Sequence, residues 1–180
     1  MKKIIILFLF ILPLNYLNAQ FYKDLKFNLS DSLKLVESSN SYQKKVDILM
    51  NIGIRYEWSK GDSAIIFFNK AAEIAKQNKD NILEFIAMSH ISMTYNQTIG
   101  NYPLGLHYAT ESGKLVNKIS NLTDSIRTFY NYNLTFSYGY LHNKELALKN
   151  LVERWPISKR VKPGFVDGNI GKAFYILEEY

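Results

Sequence analysis

Three histidines, His90, His107 and His142, are the side chains of this sequence best suited to ligate a transition metal. A zinc site built on a helix needs two such ligands one turn apart, so that both imidazoles reach one ion. None of the three has a second histidine at that spacing. The chain has no cysteine, so a thiolate site, a thiol nucleophile and a disulfide are all excluded. The run Gly168-Asn169-Ile170-Gly171-Lys172-Ala173 brushes against a phosphate-binding loop, in which glycines let backbone N–H groups curl around a phosphate and a hydroxyl after the lysine holds magnesium. Here the first glycine stands at the wrong distance and Ala173 replaces the hydroxyl. Serines are frequent, yet none sits in the Gly-x-Ser-x-Gly turn that presents a nucleophile. Carboxylates spaced along a helix read as a solvated face, not as an acid and base pair. The residues form no catalytic constellation, and the expectation is a protein that is not an enzyme and uses no cofactor or metal.

The informative spacing belongs to small and aromatic residues. Ile52-Gly53-x-x-Tyr56 is followed by a turn at Lys60-Gly61-Asp62 and then by Ala64-x-x-x-Phe68-x-x-Ala71, with Ile74 and Ala75 beyond. Steps of three and four residues place these on one side of each of two helices. Gly53 notches the first helix, Phe68 fills space on the second, and Ala64 and Ala71 let the two approach. A second copy reads Ile91-Ser92-x-x-Tyr95, a turn at Gly100-Asn101-Tyr102, and Gly105 to Ala109 and Ser112, with Pro103 admissible only in the first helical turn. Gly105 stands where alanine is usual and weakens its helix by about 1 kcal/mol on propensity alone. A third copy reads Leu134-Thr135-x-x-Tyr138, a turn at His142-Asn143-Lys144, then Ala147 and Leu151, and Trp155-Pro156 is expected to close that helix. The fourth, Ile170-Gly171-x-x-Phe174, reaches Tyr180 before its second helix. The small residues Gly53, Ser92, Thr135 and Gly171 recur at intervals of 39, 43 and 36 residues.

Leu-Gly-x-x-Tyr on one helix and Ala-x-x-x-Phe-x-x-Ala on the next is the signature that these copies resemble, that of the tetratricopeptide repeat, although every interval exceeds the usual 34 residues. The resemblance implies an all-α fold, a right-handed solenoid of antiparallel helix pairs over residues 42–180 with three repeats and a truncated fourth. It assigns Gly53, Tyr56, Ala64, Phe68, Ala71, Ser92, Tyr95, Gly105, Leu134, Tyr138, Ala147, Gly171 and Phe174 to packing between helices. It also implies that the first helix of each pair lines a concave surface for a protein or peptide ligand. Carried over copy by copy, that surface comprises Met50, Ile54, Glu57 and Trp58, then Met93, Asn96 and Gln97, then Tyr132, Phe136 and Tyr140, and last Lys172 and Tyr175. Aromatic anchors, adaptable methionines and amides suit an extended or helical peptide; the same residues also suit the filling of core gaps between irregular repeats.

Met1-Lys2-Lys3, an apolar run from Ile4 to Leu12 and a small residue at Ala19 have the pattern of a signal peptide over residues 1–19, cleaved before Gln20. The apolar run is well short of the about 20 residues that a membrane span requires. Residues 20–41 form a lead-in with a short helix near Asp31-Ser32-Leu33. Export, a leader and long-period repeats together resemble the exported N-terminal repeat regions of Bacteroidota sensor histidine kinases and related regulators. Two functions follow: an exported periplasmic or secreted scaffold for protein or peptide binding, or the sensory N-terminal portion of a signalling protein. A net charge of +6 is carried by scattered lysines and forms no stripe, so nucleic acid is not expected as a partner. The apolar residues of the half repeat suggest self-association through the open end. Asp31-Ser32, Asp62-Ser63 and Asp124-Ser125 resemble an O-glycosylation acceptor pattern, and each also falls at an expected helix start, where capping explains it.

Overall fold

The computed structural model describes residues 28–161 and Glu178, the side chains of Arg154, Trp155 and residues 157–161 excepted. The leader, and the fourth copy with Gly171, Lys172, Phe174 and Tyr175, lie outside the described residues. Within them the protein is all-helical, with no strand. Seven α-helices follow in order: α1 Leu29–Ser38, α2 Tyr42–Glu57, α3 Gly61–Gln77, α4 Asn81–Thr94, α5 Tyr102–Val116, α6 Asp124–Tyr140 and α7 Lys144–Val161. A π-helical segment, Tyr95–Ile99, continues α4 without a break.

Local chemistry accounts for the boundaries. Asn28, Ser41, Asp80, Asn101, Thr123 and Asn143 each accept a hydrogen bond from a backbone N–H in the first turn of the helix that follows, which satisfies one of its orphan donors. Only α3 starts without such a side-chain cap, at Lys60. The three Asp-Ser pairs are therefore not the caps. Asn28 and Thr123 cap α1 and α6, and Asp31, Asp62 and Asp124 stand inside the first turns, where a carboxylate meets the positive end of the helix dipole. Gly100 takes a left-handed φ of 76° between the π segment and the Asn101 cap, a conformation that costs an L side chain more than it costs glycine.

One expected stop is overridden. Helix α7 runs through Pro156 to Val161. Proline removes the N–H that would bond the Val152 carbonyl, but Val152 and Pro156 are both exposed, so water can take the released carbonyl. The basic stretch after Pro156 accordingly begins as helix.

Each helix packs on the next in chain order, and of the alternate helices α2 also touches α4, and α4 touches α6. Gly53 lies against the Phe68 ring so closely that a β-carbon there would run into it. Val46, Ala64, Phe68, Ala71, Ala75, Ala87 and Ile91 are all fully buried around this contact. Between α2 and α3 the notch-and-ring arrangement expected from spacing is thus present. Replacing Phe68 by alanine would open a cavity there, at a cost of about 3–5 kcal/mol. A second cluster of Phe85, Leu115 and Ile126 joins α4, α5 and α6. Ala147 and Leu151 are buried in the last pair. Long helices, the π segment and the connector 117–123 account for repeat intervals above the usual length.

Candidate functional site

The first helices of the three pairs are joined by buried polar groups. Between α2 and α4, Glu57 and His90 are each 3% exposed, and His90 Nδ1 lies 3.0 Å from Glu57 Oε1. Thr94 donates to the same carboxylate oxygen at 3.3 Å. From the π segment, Thr98 donates to the backbone carbonyl of Glu57 at 2.7 Å. The His90 ring is held by aromatics, with centroids 5.1 Å from Phe68 and 5.5 Å, edge-on, from Phe129. Burial in this setting makes each hydrogen bond strong and its loss costly.

The seam between α4 and α6 consists of amide rungs. Asn133 Nδ2 donates to the carbonyl of Ser89, and Asn96 Nδ2 donates to Ser137 Oγ at 2.8 Å. Both asparagines are buried. Among the described residues Asn96 Oδ1 has no hydrogen-bond partner, and it lies so close to Gly105 that a β-carbon there would collide with it. Ser92 Oγ, from the preceding turn of α4, donates to the Gly105 carbonyl at 2.8 Å. Asn96 and Ser92 are thus both matched to Gly105: the asparagine amide occupies the space that an alanine at 105 would need, and the serine hydroxyl bonds the Gly105 carbonyl.

These seams correct the expected ligand surface. Met50, Glu57, Asn96 and Phe136 are between 1% and 8% exposed. They are closed over by neighbouring helices, so they support the face and do not form it. Ile54, Met93, Gln97, Tyr132 and Tyr140 are half-buried, and Trp58 stands 63% exposed at the end of α2. Gln97 donates to the Tyr132 hydroxyl at 2.9 Å, which ties the π segment to α6. Tyr132 leans on Phe136 at 4.4 Å between centroids, and Tyr140 stacks on Tyr102 at 4.6 Å and 8°. Of the residues expected to pack between helices, Gly53, Ala64, Phe68, Ala71, Ser92, Gly105, Leu134 and Ala147 are buried, and Tyr56, Tyr95 and Tyr138 are half-buried. Tyr56 stacks on Phe67, and Tyr95 on Tyr108.

The amide rungs and the Glu57–His90 contact were not legible from spacing, because the repeat register that picks out Glu57 and Asn96 does not pick out His90, Ser89, Asn133 or Ser137, the residues that complete the seams. One signal was available: polar residues at Ser89, Ser92, Asn96 and Asn133 interrupt faces that packing otherwise makes apolar. Two burial effects accompany the site. Desolvation pushes the Tyr130 hydroxyl above the usual tyrosine range, reinforced by Tyr138 and Glu153, and desolvation does the same to Tyr95, with Tyr108 and Asp62 adding to it. No helix among the described residues is long and apolar enough to cross a membrane. The chain matches no protein-family model and no curated protein.

Proposed function

We propose that the protein is an exported tetratricopeptide-like scaffold that binds a protein or peptide segment along Ile54, Trp58, Met93, Gln97, Tyr132 and Tyr140. The observation that carries the reading is the joining of α2, α4 and α6 edge to edge by buried polar seams, which leaves half-buried Ile54, Met93, Gln97, Tyr132 and Tyr140, with exposed Trp58, on these helices and the π segment that continues α4. Packing in chain order, with a notched first helix receiving the second, supports a solenoid of helix pairs. Phe136 and Tyr132 are pre-ordered against each other, so a ligand would not have to freeze them on binding. The face presents apolar area and amides with little charge, which favours an extended or helical segment held by side-chain anchors and backbone hydrogen bonds. Export follows from the leader pattern, and the scaffold has no catalytic, metal or nucleic-acid role in this reading. The resemblance to exported sensor regions supports a second setting for the same binding face, as the input region of a signalling protein.

Selection from a displayed random peptide library against the purified chain tests the reading. Enriched peptides should bind with affinities that fall at least about tenfold, near 1.4 kcal/mol, on Trp58→Ser or Gln97→Ala, and that hold on Ile66→Ser, an exposed apolar site on α3. Absence of enrichment, or equal sensitivity to all three substitutions, contradicts it.

A further inference from the structure

The five residues of the π segment reach four different helices. Tyr95 stacks on Tyr108 of α5, and Asn96 and Gln97 donate to Ser137 and Tyr132 of α6. Ile99 lies where a β-carbon on Gly61, at the start of α3, would collide with it. Thr98 is the member that reaches α2. The Glu57 carbonyl is the last of that helix, one of the acceptors that a helix C-terminus leaves without an internal partner. Thr98 Oγ1 donates to it at 2.7 Å, and the Thr98 methyl lies 3.2 Å from where a Gly61 β-carbon would stand. One side chain thus touches the chain on both sides of the turn Trp58–Lys60, by its hydroxyl before the turn and by its methyl after it. Helix α3 starts from this turn without a side-chain cap of its own. A π turn in such a place is a common mark of a functional site.

We infer that Thr98 is a positioning residue of the ligand face, holding the turn that carries Trp58 in a fixed place beside Gln97. The inference rests on the ligand face proposed above. Trp58 is 63% exposed, so its own burial does not fix it, and an aromatic anchor that must be ordered on binding loses affinity to that ordering. Gln97 is held by its own bond to Tyr132. Trp58 is held at one remove, through the Glu57 carbonyl of the peptide group that joins it to α2 and through the far side of its turn. Two consecutive residues of the π segment therefore set two anchors of the face, one on the second repeat and one on the first, and a ligand that engages both spans the joint between those repeats. The hydroxyl is the part of Thr98 that this role requires. Thr98→Val keeps the branched shape and removes the donor, whereas Thr98→Ser keeps the donor.

The test has one arm without ligand and one with it. Nitrogen-15 relaxation is measured on the backbone and indole N–H groups of Trp58 in the full chain, the indole signal being identified by its loss in Trp58→Phe. In Thr98→Val the Trp58 backbone order parameter should fall below the rigid value of about 0.85, with the indole following it, while residues Ile65 to Ile74 of α3 stay rigid. Thr98→Ser should keep the wild-type values. Peptides enriched from the displayed library should bind Thr98→Val at least about threefold more weakly, because Trp58 must then be ordered on binding, and should bind Thr98→Ser as they bind the wild type. Trp58 equally rigid in Thr98→Val overturns the inference whatever the peptides do, and so does a serine variant as mobile as the valine one. A mobile Trp58 in Thr98→Val alone, with peptide affinity unchanged, upholds the hold of Thr98 on the turn and overturns the ligand face instead.

Discussion

Gly105 shows how a single position can invert the sign expected from helix propensity. An alanine in mid-helix normally stabilises by about 1 kcal/mol over glycine, yet at 105 the new β-carbon would collide with Asn96 Oδ1. Gly105→Ala should therefore destabilise by about 1–3 kcal/mol, the usual range for overpacking, and a thermal or urea melt that shows stabilisation would contradict the assignment. Glu57 and His90 test the other seam. His90→Phe keeps a ring between Phe68 and Phe129 and leaves the buried carboxylate short of a partner, at a cost of about 1–3 kcal/mol or more. Adding Glu57→Met should recover part of that loss, since removing both polar partners is milder than removing one; fully additive losses would show that the two side chains act independently. Tyr130 carries a pH signature. Its hydroxyl is raised above the ordinary value by burial first, so the folded state favours the neutral phenol. The resulting stability is complete below the unfolded value of about 10 and is lost as pH rises through the higher folded value. Tyr130→Phe should flatten the alkaline fall in melting temperature, and an unchanged alkaline limb would contradict the burial effect.

At the scale of elements, the existence and pairing of α2 with α3 were legible because Gly53, Ala64, Phe68 and Ala71 each have one physical job at one spacing. The turn at Gly100-Asn101 was legible for the same reason, since left-handed backbone and a capping amide both leave marks in residue type. Less could be read where context overrides local preference. Helix α7 continues past Pro156 because its freed carbonyl faces solvent, which the sequence does not reveal. The π segment is likewise hidden, since its extra residue is stabilised by tertiary bonds from Thr98 to Glu57 and from Gln97 to Tyr132. Met50, Glu57, Asn96 and Phe136 were assigned to the ligand face by register alone, and register does not say how closely neighbouring helices close over a position. Gly100→Ala tests the turn: with φ at 76° it should cost on the order of 1–2 kcal/mol, measurable as a lowered denaturant midpoint with an unchanged slope. No loss would mean that the turn relaxes to another conformation.

For the whole molecule, the proposed export and the proposed ligand face are each open to one direct measurement. Export is tested by intact mass: protein recovered from outside the cytoplasm of a bacterial host should begin at Gln20, and a mass retaining Met1 to Ala19 contradicts cleavage. The scaffold has no disulfide to fall back on, so its folded state depends on the buried clusters and the two polar seams. The most direct measurement is a nuclear magnetic resonance titration of the labelled protein with a peptide enriched by selection. Binding along the proposed face predicts shift changes at Ile54, Trp58, Met93, Gln97, Tyr132 and Tyr140, with Ile66 and Leu148 unmoved. Changes centred on Ile66 and Leu148, with Trp58 and Tyr132 unaffected, would contradict it.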